Sequence, residues 1–320
     1  MYLRPNRKCG LTIIEILVTI AVLSILAAVT LIAIQGAREA SRKAQCMNNL
    51  KNLGISIEAH VEAKGTFPRS VNAHSPLTSL LPYLEQGVVF NSINMDITGY
   101  GPIGFTINKT AFSVKIDSFI CPSDTIERVG YGPCNYAGNI GYGIGLAGAN
   151  DNGPFVSTLI DKIVSRANVR DGMSQTASMS EFCRSSAPER DSTSGQRHPK
   201  RSVIDVGEHF GADRYQEFLE LCQGADIRSA RLKRMIKGWC WAFERPGMTL
   251  YNHNIGPNGH TCDNSPSRTG AWTASSVHDN GVYVLFLDGH VKFMKEKIQL
   301  EIWHSIGSMN GSEIINQNPN

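Results

Sequence analysis

The first fifteen residues carry the clearest chemical pattern in the chain. Gly10 stands between a short basic segment and a long apolar run, and one carboxylate, Glu15, lies inside that run. Gly10 has the small side chain at this junction, so we expect a protease to cut the bond between Gly10 and Leu11. The cut would place a new α-amino group on Leu11, one helical turn from Glu15, where the two charges can offset each other within one chain or between neighbours. The basic segment contains Arg4, Arg7 and Lys8.

The apolar run from Leu11 to Ile34 is long enough to cross a bilayer. Its roughly 24 residues, at about 1.5 Å each, span about 36 Å, and Glu15 is their only charge. The run is too long for the core of a signal peptide, whose cleavage site would also follow the core and not precede it. A carboxylate in a membrane costs a few kcal/mol, so Glu15 needs a partner or a function. The alternative is a plain signal anchor in which Gly10 and Glu15 are accidental.

A second group of residues able to do chemistry lies near the C-terminus. His278, Asp279, Asp288 and His290 could offer nitrogen and oxygen ligands to a metal ion. Asp288 is already explained by an Asp-Gly turn and His278 by a turn before a strand, so we expect no metal site. The sequence contains no Gly-x-Ser-x-Gly, His-Glu-x-x-His or Walker motif. We therefore expect a protein that is not an enzyme and needs no cofactor.

The helix that begins in the apolar run is predicted to continue to about Glu62. Beyond Gly36, apolar or small residues recur every three or four positions and form one stripe, and Gly65 with Pro68 ends the helix. The stripe consists of Ala40, Ala44, Met47, Leu50, Gly54, Ile57 and Val61. A helix from Leu11 would be about 78 Å long, with one half in a membrane or filament core and the other packed on a domain.

The roughly 250 residues after this helix are enough for one large domain or two small ones. Alternating apolar residues over 111–120 and the aromatic run 239–243 predict strands, and the aromatic side chains are expected to be core. An amphipathic helix is predicted from four residues that share one face: Tyr215, Phe218, Leu219 and Cys222.

Residues 282–294 predict a β-hairpin. Two β-rich runs, 282–287 and 290–294, flank Asp288-Gly289, a pair that favours a two-residue type I′ turn. In that register one face carries Val282, Val284, Phe286, Val291 and Phe293. The long helix and these strands together predict an α+β fold with an antiparallel, β-rich head.

Charge and cysteine content limit the function classes. The chain has 31 Lys and Arg and 28 Asp and Glu, and the first ten residues hold three of the basic ones and none of the acidic ones, so a chain cut after Gly10 has 28 of each. No electrostatic case for nucleic-acid binding remains. The cysteines are consistent with an oxidising compartment. Six lie beyond the stem and allow fifteen connectivities, and Cys46, the odd thiol, is expected to be buried against the stem or in subunit packing.

The segment from Lys8 to Glu15 resembles the prepilin-type N-terminus of type IV pilins and type II secretion pseudopilins, although Leu11 stands where those proteins usually have Phe. The resemblance implies that a prepilin peptidase processes the chain between Gly10 and Leu11 and that Leu11 becomes N-methylated. It also implies that Glu15 sets subunit register during filament assembly. Both flanks of the membrane segment are basic, so charge alone does not decide orientation. The resemblance implies a cytoplasmic N-terminus and an extracytoplasmic head.

Motifs along the rest of the chain resemble a bacterial family with prepilin-type N-termini, domain of unknown function 1559. The C-terminal motif is His-x9-Asp-Gly, formed here by His278, Asp288 and Gly289. Other matches follow in the family's order: the stem run from Arg38 to Gly54, Cys121-Pro122-Ser123-Asp124, Asn135 to Asn139, Asp171 to Ser174, Pro257-Asn258 and Glu313.

These patterns predict four segments: a leader (1–10), a transmembrane helix (11–34), an amphipathic stem helix (35–64) and an extracytoplasmic head (65–320). We expect a pseudopilin-like structural subunit, single-pass in the bacterial inner membrane or part of a surface filament. Its partners would be a prepilin peptidase, like or related pilin subunits through the N-terminal helix, and the membrane, with no nucleic acid. The alternative is a membrane-anchored extracytoplasmic binding module or enzyme that uses the same type of anchor.

Overall fold

The computed structural model of the chain describes residues 12–99, 101–126, 130–143, 152–156, 162–185, 197–233, 237–264 and 269–311. By contacts the chain divides into two units, Met1–Ala44 and Gln45–Asn320. The helix α1 (Ile13–Lys64) contributes to both. Among the described residues it is the helix whose length and composition would allow it to cross a membrane.

Helix α1 ends where the sequence predicts. Gly65 adopts a left-handed φ of 74°, and its backbone N–H donates to the Val61 carbonyl at 2.7 Å. The predicted stripe is correct from Leu50 onward, since Leu50, Gly54, Ile57 and Val61 are buried. Ala40 and Ala44 are exposed and Met47 is half-buried, so the packed part of the helix is shorter than predicted.

Short helices follow in the second unit. They are α2 (Pro76–Leu80), α3 (Gly87–Asn91), α4 (Pro102–Ile107), α5 (Lys109–Phe112), α6 (Tyr215–Gly224) and α7 (Leu300–Gly307). In the part of the chain that the structure describes, 3-10 helices span Leu81–Leu84, Asp117–Phe119, Arg166–Asn168 and Ala212–Arg214. Helix α6 confirms the amphipathic helix predicted from its apolar face, and it buries Phe218, Leu219 and Cys222.

The strands of the described residues form two sheets. The five-stranded sheet has the order β4 (Leu250–Tyr251), β1 (Tyr136–Asn139), β2 (Ala177–Glu181), β7 (Gly281–Phe286) and β8 (Val291–Lys295), and all its pairs are antiparallel except β1 with β4. In the three-stranded sheet, β5 (Thr261–Asn264) pairs in parallel with β3 (Val203–Asp205) and antiparallel with β6 (Thr269–Ala271). The fold is therefore α+β with mostly antiparallel sheets, as predicted.

The five-stranded sheet contributes side chains to two separate apolar clusters. Leu285 of β7 and Leu287 lie in the same cluster as Leu50 and Leu53 of α1. Val282, Val284 and Phe286 of β7 lie in a second cluster with Trp303 of α7. Because β7 is buried on both faces, its register is strongly constrained by packing.

Two strand predictions were wrong. Residues 111–120 contain the end of α5 and a 3-10 helix, and residues 239–243 form turns with an isolated bridge from Phe243 to His74. The side chains are nevertheless core: Phe112, Phe119, Trp241 and Phe243 are all fully buried. The apolar patterns predicted correctly which side chains are buried. They did not predict strands correctly, because a strand also needs a pairing partner that a local pattern does not supply.

Candidate functional site

The processing residues Gly10 and Leu11 lie outside the described residues, as does Glu313, but Glu15 is described. Glu15 lies in the first turn of α1, where its carboxylate accepts hydrogen bonds from the backbone N–H of Thr12 at 2.8 Å and from the Thr12 hydroxyl at 2.9 Å. The Glu15 N–H donates back to that hydroxyl at 3.3 Å. Thr12 and Glu15 thus form a reciprocal capping box. The Thr-x-x-Glu spacing was readable in the sequence, and it gives Glu15 a helix-capping role within a single chain.

The hairpin motif residues Asp288 and Gly289 form a different turn from the one predicted. Leu285 pairs with Val291, and the Gly289 N–H donates to the Phe286 carbonyl at 3.0 Å. The loop therefore has three residues, 287–289, and ends on Gly289 with a φ of 88°, whereas Asp288 keeps a negative φ. This is a type I turn followed by a left-handed glycine, and the predicted two-residue type I′ turn is wrong.

The longer loop shifts the strand register by one residue. As a result Phe293 pairs with Tyr283 and Val291 with Leu285, so these two residues lie on the opposite face from Val282, Val284 and Phe286. The predicted common face was correct for the residues of β7 and wrong for those of β8. In this register Val291 packs against the cluster that Leu285 shares with α1, whereas the predicted register would place Val291 on the opposite face.

The hairpin loop lies against helix α1 at Gly54. A Cβ added to Gly54 would lie 2.9 Å from Leu285 Cδ1 and 3.4 Å from Gly289 Cα. A glycine in this helix therefore permits the close approach of the loop. At the loop itself, the Asp288 carboxylate accepts from the His290 backbone N–H at 3.1 Å and lies 2.6 Å from the His290 ring Nδ1.

His278, the first residue of the motif, lies away from the hairpin loop that contains Asp288 and Gly289. It precedes β7 while Asp288 follows it, so a strand of about 17–20 Å separates them. His278 is buried, with Nε2 3.5 Å from Glu181 Oε1 and 3.7 Å from Cys121 Sγ. The grouping of His278 with Asp288 and His290 considered from the sequence is therefore not a site.

A disulfide between Cys46 and Cys121 lies beside His278 and joins α1 to the segment after the 3-10 helix Asp117–Phe119. The expectation that Cys46 stays unpaired was wrong, because helix α1 brings its thiol against the head. A second disulfide joins Cys222 of α6 to Cys262 of β5. Cys134, Cys183 and Cys240 are free and buried.

Asp124, three residues after Cys121, is the centre of a buried ionic cluster. Its Oδ1 lies 2.9 Å from Arg201 Nη1, and its Oδ2 lies 3.5 Å from Arg184 Nε. Its Oδ2 also accepts from the Arg184 backbone N–H at 3.0 Å and from Asn135 Nδ2 at 2.7 Å. Burial alone would raise the pKa of Asp124, but Arg201 and Arg184 outweigh it and hold that pKa below its ordinary value.

Lys237 is a further buried cation on the same side of the head. Its ammonium donates to the Lys200 carbonyl at 2.8 Å and to the hydroxyls of Thr261 and Ser275 at 3.1 Å each, and it lies 4.3 Å from the centre of the Phe182 ring. Burial lowers the pKa of Lys237 to about 8. Burial also raises the pKa of the neighbouring Cys183 thiol to about 11, so this thiol stays protonated at neutral pH.

Together these groups form what we call the buried centre: Cys46, Cys121, Asp124, Asn135, Glu181, Arg184, Arg201 and His278. Asn135 links its parts, because its Oδ1 accepts from the Cys121 N–H at 3.2 Å. The cavity bordered by Cys121, Asp124, Asn135 and Glu181 measures about 10 Å³, enough for about one water molecule and too small for a substrate. Glu181, Arg184 and Arg201 were not singled out from the sequence. The available signal concerned Arg184, which directly follows Cys183, just as the charged Asp124 follows Cys121 by three residues.

Comparison with known proteins identifies the family. The model of the family described as protein of unknown function (DUF1559) matches residues 35–301, and the model of the prokaryotic N-terminal methylation motif matches residues 5–31. No curated protein and no solved structure matches the chain. The methylation motif marks a type IV pilin-like or pseudopilin-like protein, and with the apolar half of α1 it fits a membrane-anchored chain. Because the family model matches residues 35–301, the chain belongs to the DUF1559 family.

Proposed function

We propose that this protein is a structural subunit of a pseudopilin-like filament and not an enzyme. A prepilin peptidase cuts after Gly10, Leu11 is N-methylated, and the N-terminal helix assembles with like or related subunits in a type II secretion-like or surface filament. The observation that carries this proposal is the methylation motif over residues 5–31, joined to an apolar run, residues 11–34, in which Glu15 is the single charge.

Two features of the head support an extracytoplasmic, structural role. Its two disulfides are of the kind that persist in oxidising compartments. The buried carboxylates Asp124 and Glu181 border a cavity of about 10 Å³, which has no room for a substrate at that place. The disulfides and the pilin-like N-terminus support the orientation that we propose, with the N-terminus in the cytoplasm and the head outside the inner membrane.

The test of processing is mass spectrometry of the N-terminus of the protein extracted from membranes. We expect a chain that begins at Leu11 and carries an N-methyl group. Gly10→Val should leave a precursor about 1.1 kDa heavier, which is ten residues at the chain's average mass. An intact Met1 terminus in cells with an active prepilin peptidase would refute the proposal.

The test of assembly must separate the charge of Glu15 from its capping bonds. Glu15→Leu removes both, whereas Glu15→Gln keeps an oxygen that can accept from the Thr12 N–H and removes the charge. Thr12→Val removes the hydroxyl and keeps the charge. If the carboxylate pairs with the new amino group of Leu11 in a neighbouring subunit, both Glu15 variants should insert and be cleaved but assemble poorly, while Thr12→Val assembles. Cross-linking between subunits measures the outcome, and normal assembly of Glu15→Gln would remove the charge-based role.

A further inference from the structure

Four buried side chains that meet at the Cys46–Cys121 disulfide have the composition of a zinc site. We propose that, when this disulfide is reduced, Cys46, Cys121, Glu181 and His278 bind one Zn²⁺ ion as a tetrahedral site. The potential ligand atoms of all four residues lie within 4.8 Å of one another, and all four residues are buried. Thiolate sulfur, imidazole nitrogen and carboxylate oxygen are the atoms that Zn²⁺ takes as ligands in proteins.

The distances already approach those of a tetrahedral site. With zinc–sulfur bonds of about 2.3 Å and zinc–nitrogen or zinc–oxygen bonds of about 2.0–2.1 Å, neighbouring ligand atoms lie about 3.3–3.8 Å apart. His278 Nε2 lies 3.7 Å from Cys121 Sγ and 3.5 Å from Glu181 Oε1. The two sulfurs, which are bonded in the disulfide, must separate, and the remaining ligand atoms start within 4.8 Å of one another.

The ligands are held by further contacts, as metal ligands usually are. The Tyr283 backbone N–H donates to Glu181 Oε2 at 2.9 Å, and the other carboxylate oxygen lies toward His278. The His278 backbone N–H donates to the Ser276 hydroxyl at 3.1 Å. Strand β2 supplies Glu181 and helix α1 supplies Cys46, so the ligands come from separate elements that the fold has already fixed.

The charge of the proposed site is balanced by its surroundings. Zinc with two thiolates, one carboxylate and a neutral imidazole has a net charge of about −1. Arg184 and Arg201 exceed the single charge of Asp124 by one positive charge, and Asp124 borders the same cavity as Cys121 and Glu181. The net positive charge of this ionic cluster thus lies beside the proposed anionic centre, on the far side of Asp124 from the cavity.

The two states interconvert by thiol–disulfide exchange and metal binding. A dithiol reductant transfers two electrons and two protons to the disulfide, which gives two thiols here and one disulfide on the reductant. Zn²⁺ then displaces the two thiol protons as it binds. In both states Cys46 of α1 stays linked to Cys121 of the head, once by a sulfur–sulfur bond and once through the ion. Zinc would thereby hold the head on α1 before the disulfide forms.

The experiment uses the full chain in detergent. The protein is reduced with a phosphine in mild denaturant, then refolded without oxygen in the presence of Zn²⁺ or Co²⁺. We expect the reduced chain to retain one metal ion per chain and the oxidised chain to retain none. With Co²⁺ we expect the absorption of a tetrahedral ion bound by two thiolates. Near-ultraviolet circular dichroism reports whether the head has refolded.

Variants test the ligand set. His278→Ala and Glu181→Gln, each in the reduced chain, should lower zinc affinity by about 100-fold or more, since even loss of an outer contact costs 10–100-fold. The matched control is the double variant Cys222→Ala and Cys262→Ala, which removes the other disulfide and should bind zinc as the reduced parent does. The proposal is overturned if the reduced chain binds no metal, if it fails to refold with zinc as well as without it, or if His278→Ala binds normally. Loss of the metal in the control would also overturn it.

Discussion

A truncated chain that begins at Thr66, just after helix α1, should not fold, whereas one that begins at Gly36 should. The packed part of α1 lies between these two starting points. It contributes Leu50, Leu53, Ile57 and Val61 to the largest apolar cluster of the head, each of them no more than 4% exposed. Truncation at Thr66 also removes Cys46 and with it the disulfide to Cys121.

The magnitude follows from these contacts. Burial of four aliphatic side chains is worth about 1.5–3 kcal/mol each, or about 6–12 kcal/mol together. The disulfide closes a loop with a sequence separation of 75 residues, for which the chain-entropy relation gives about 4–5 kcal/mol. The sum, about 10–17 kcal/mol, is comparable to or larger than the roughly 5–15 kcal/mol by which a domain is usually stable. The shorter chain should therefore lack a cooperative folded state.

The assay compares both chains after expression in an oxidising compartment. We expect cooperative denaturant unfolding and a strong near-ultraviolet signal from the buried Trp241, Trp272 and Trp303 in the longer chain alone. In the longer chain, the double variant Cys46→Ala and Cys121→Ala isolates the disulfide and should cost about 4 kcal/mol. The double variant Cys222→Ala and Cys262→Ala, with a separation of 40 residues, should cost about half a kcal/mol less. Cooperative unfolding of the chain from Thr66, with the same aromatic signal, would refute the reasoning.

Three further predictions concern single residues of the head. Asp124→Asn should cost about 3–5 kcal/mol at neutral pH by leaving the buried Arg184 and the partly buried Arg201 without their counter-charge. Because the folded-state pKa of Asp124 is lowered, this contribution is present above the ordinary pKa of 3.8 and should disappear as the pH falls below it, which denaturation of both proteins between pH 2 and 6 can check. Gly289→Val should lower the free energy of unfolding by about 1–3 kcal/mol because φ is 88° there, whereas Asp288→Asn should change it by less than about 0.5 kcal/mol. A chelator should not shift the melting temperature of the oxidised protein. Equal losses in the two loop variants would contradict the turn assignment. The pKa of Lys237 is lowered from 10.5 to about 8, so between pH 8 and 10.5 the unfolded state holds the proton and the folded state does not. Over that range the free energy of unfolding of the parent should rise by up to about 3 kcal/mol relative to that of Lys237→Met. A constant difference between the two proteins would show that the ammonium does not titrate in the folded head.

What the sequence determined by itself is local. Helix α1 follows from an apolar run and an apolar stripe of helical period, and its end follows from Gly65, whose left-handed φ few other residues adopt easily. Helix α6 follows from four apolar residues on one face. The leader pattern and Glu15 were also readable, because membrane length and charge are properties of a short segment. In each case the interactions involved lie within about four residues of one another.

Only the tertiary structure decided the hairpin register and the buried centre. Asp288-Gly289 is compatible with a two-residue or a three-residue loop, and only the three-residue loop brings Val291 onto the cluster that Leu285 shares with α1. The disulfide partner of Cys46 lies 75 residues away, and His278 lies 157 residues from Cys121. Such contacts depend on where helices and strands pack against each other, and no local period or spacing encodes that arrangement. The sequence thus specified the anchor and stem, whereas packing assembled the charged centre of the head.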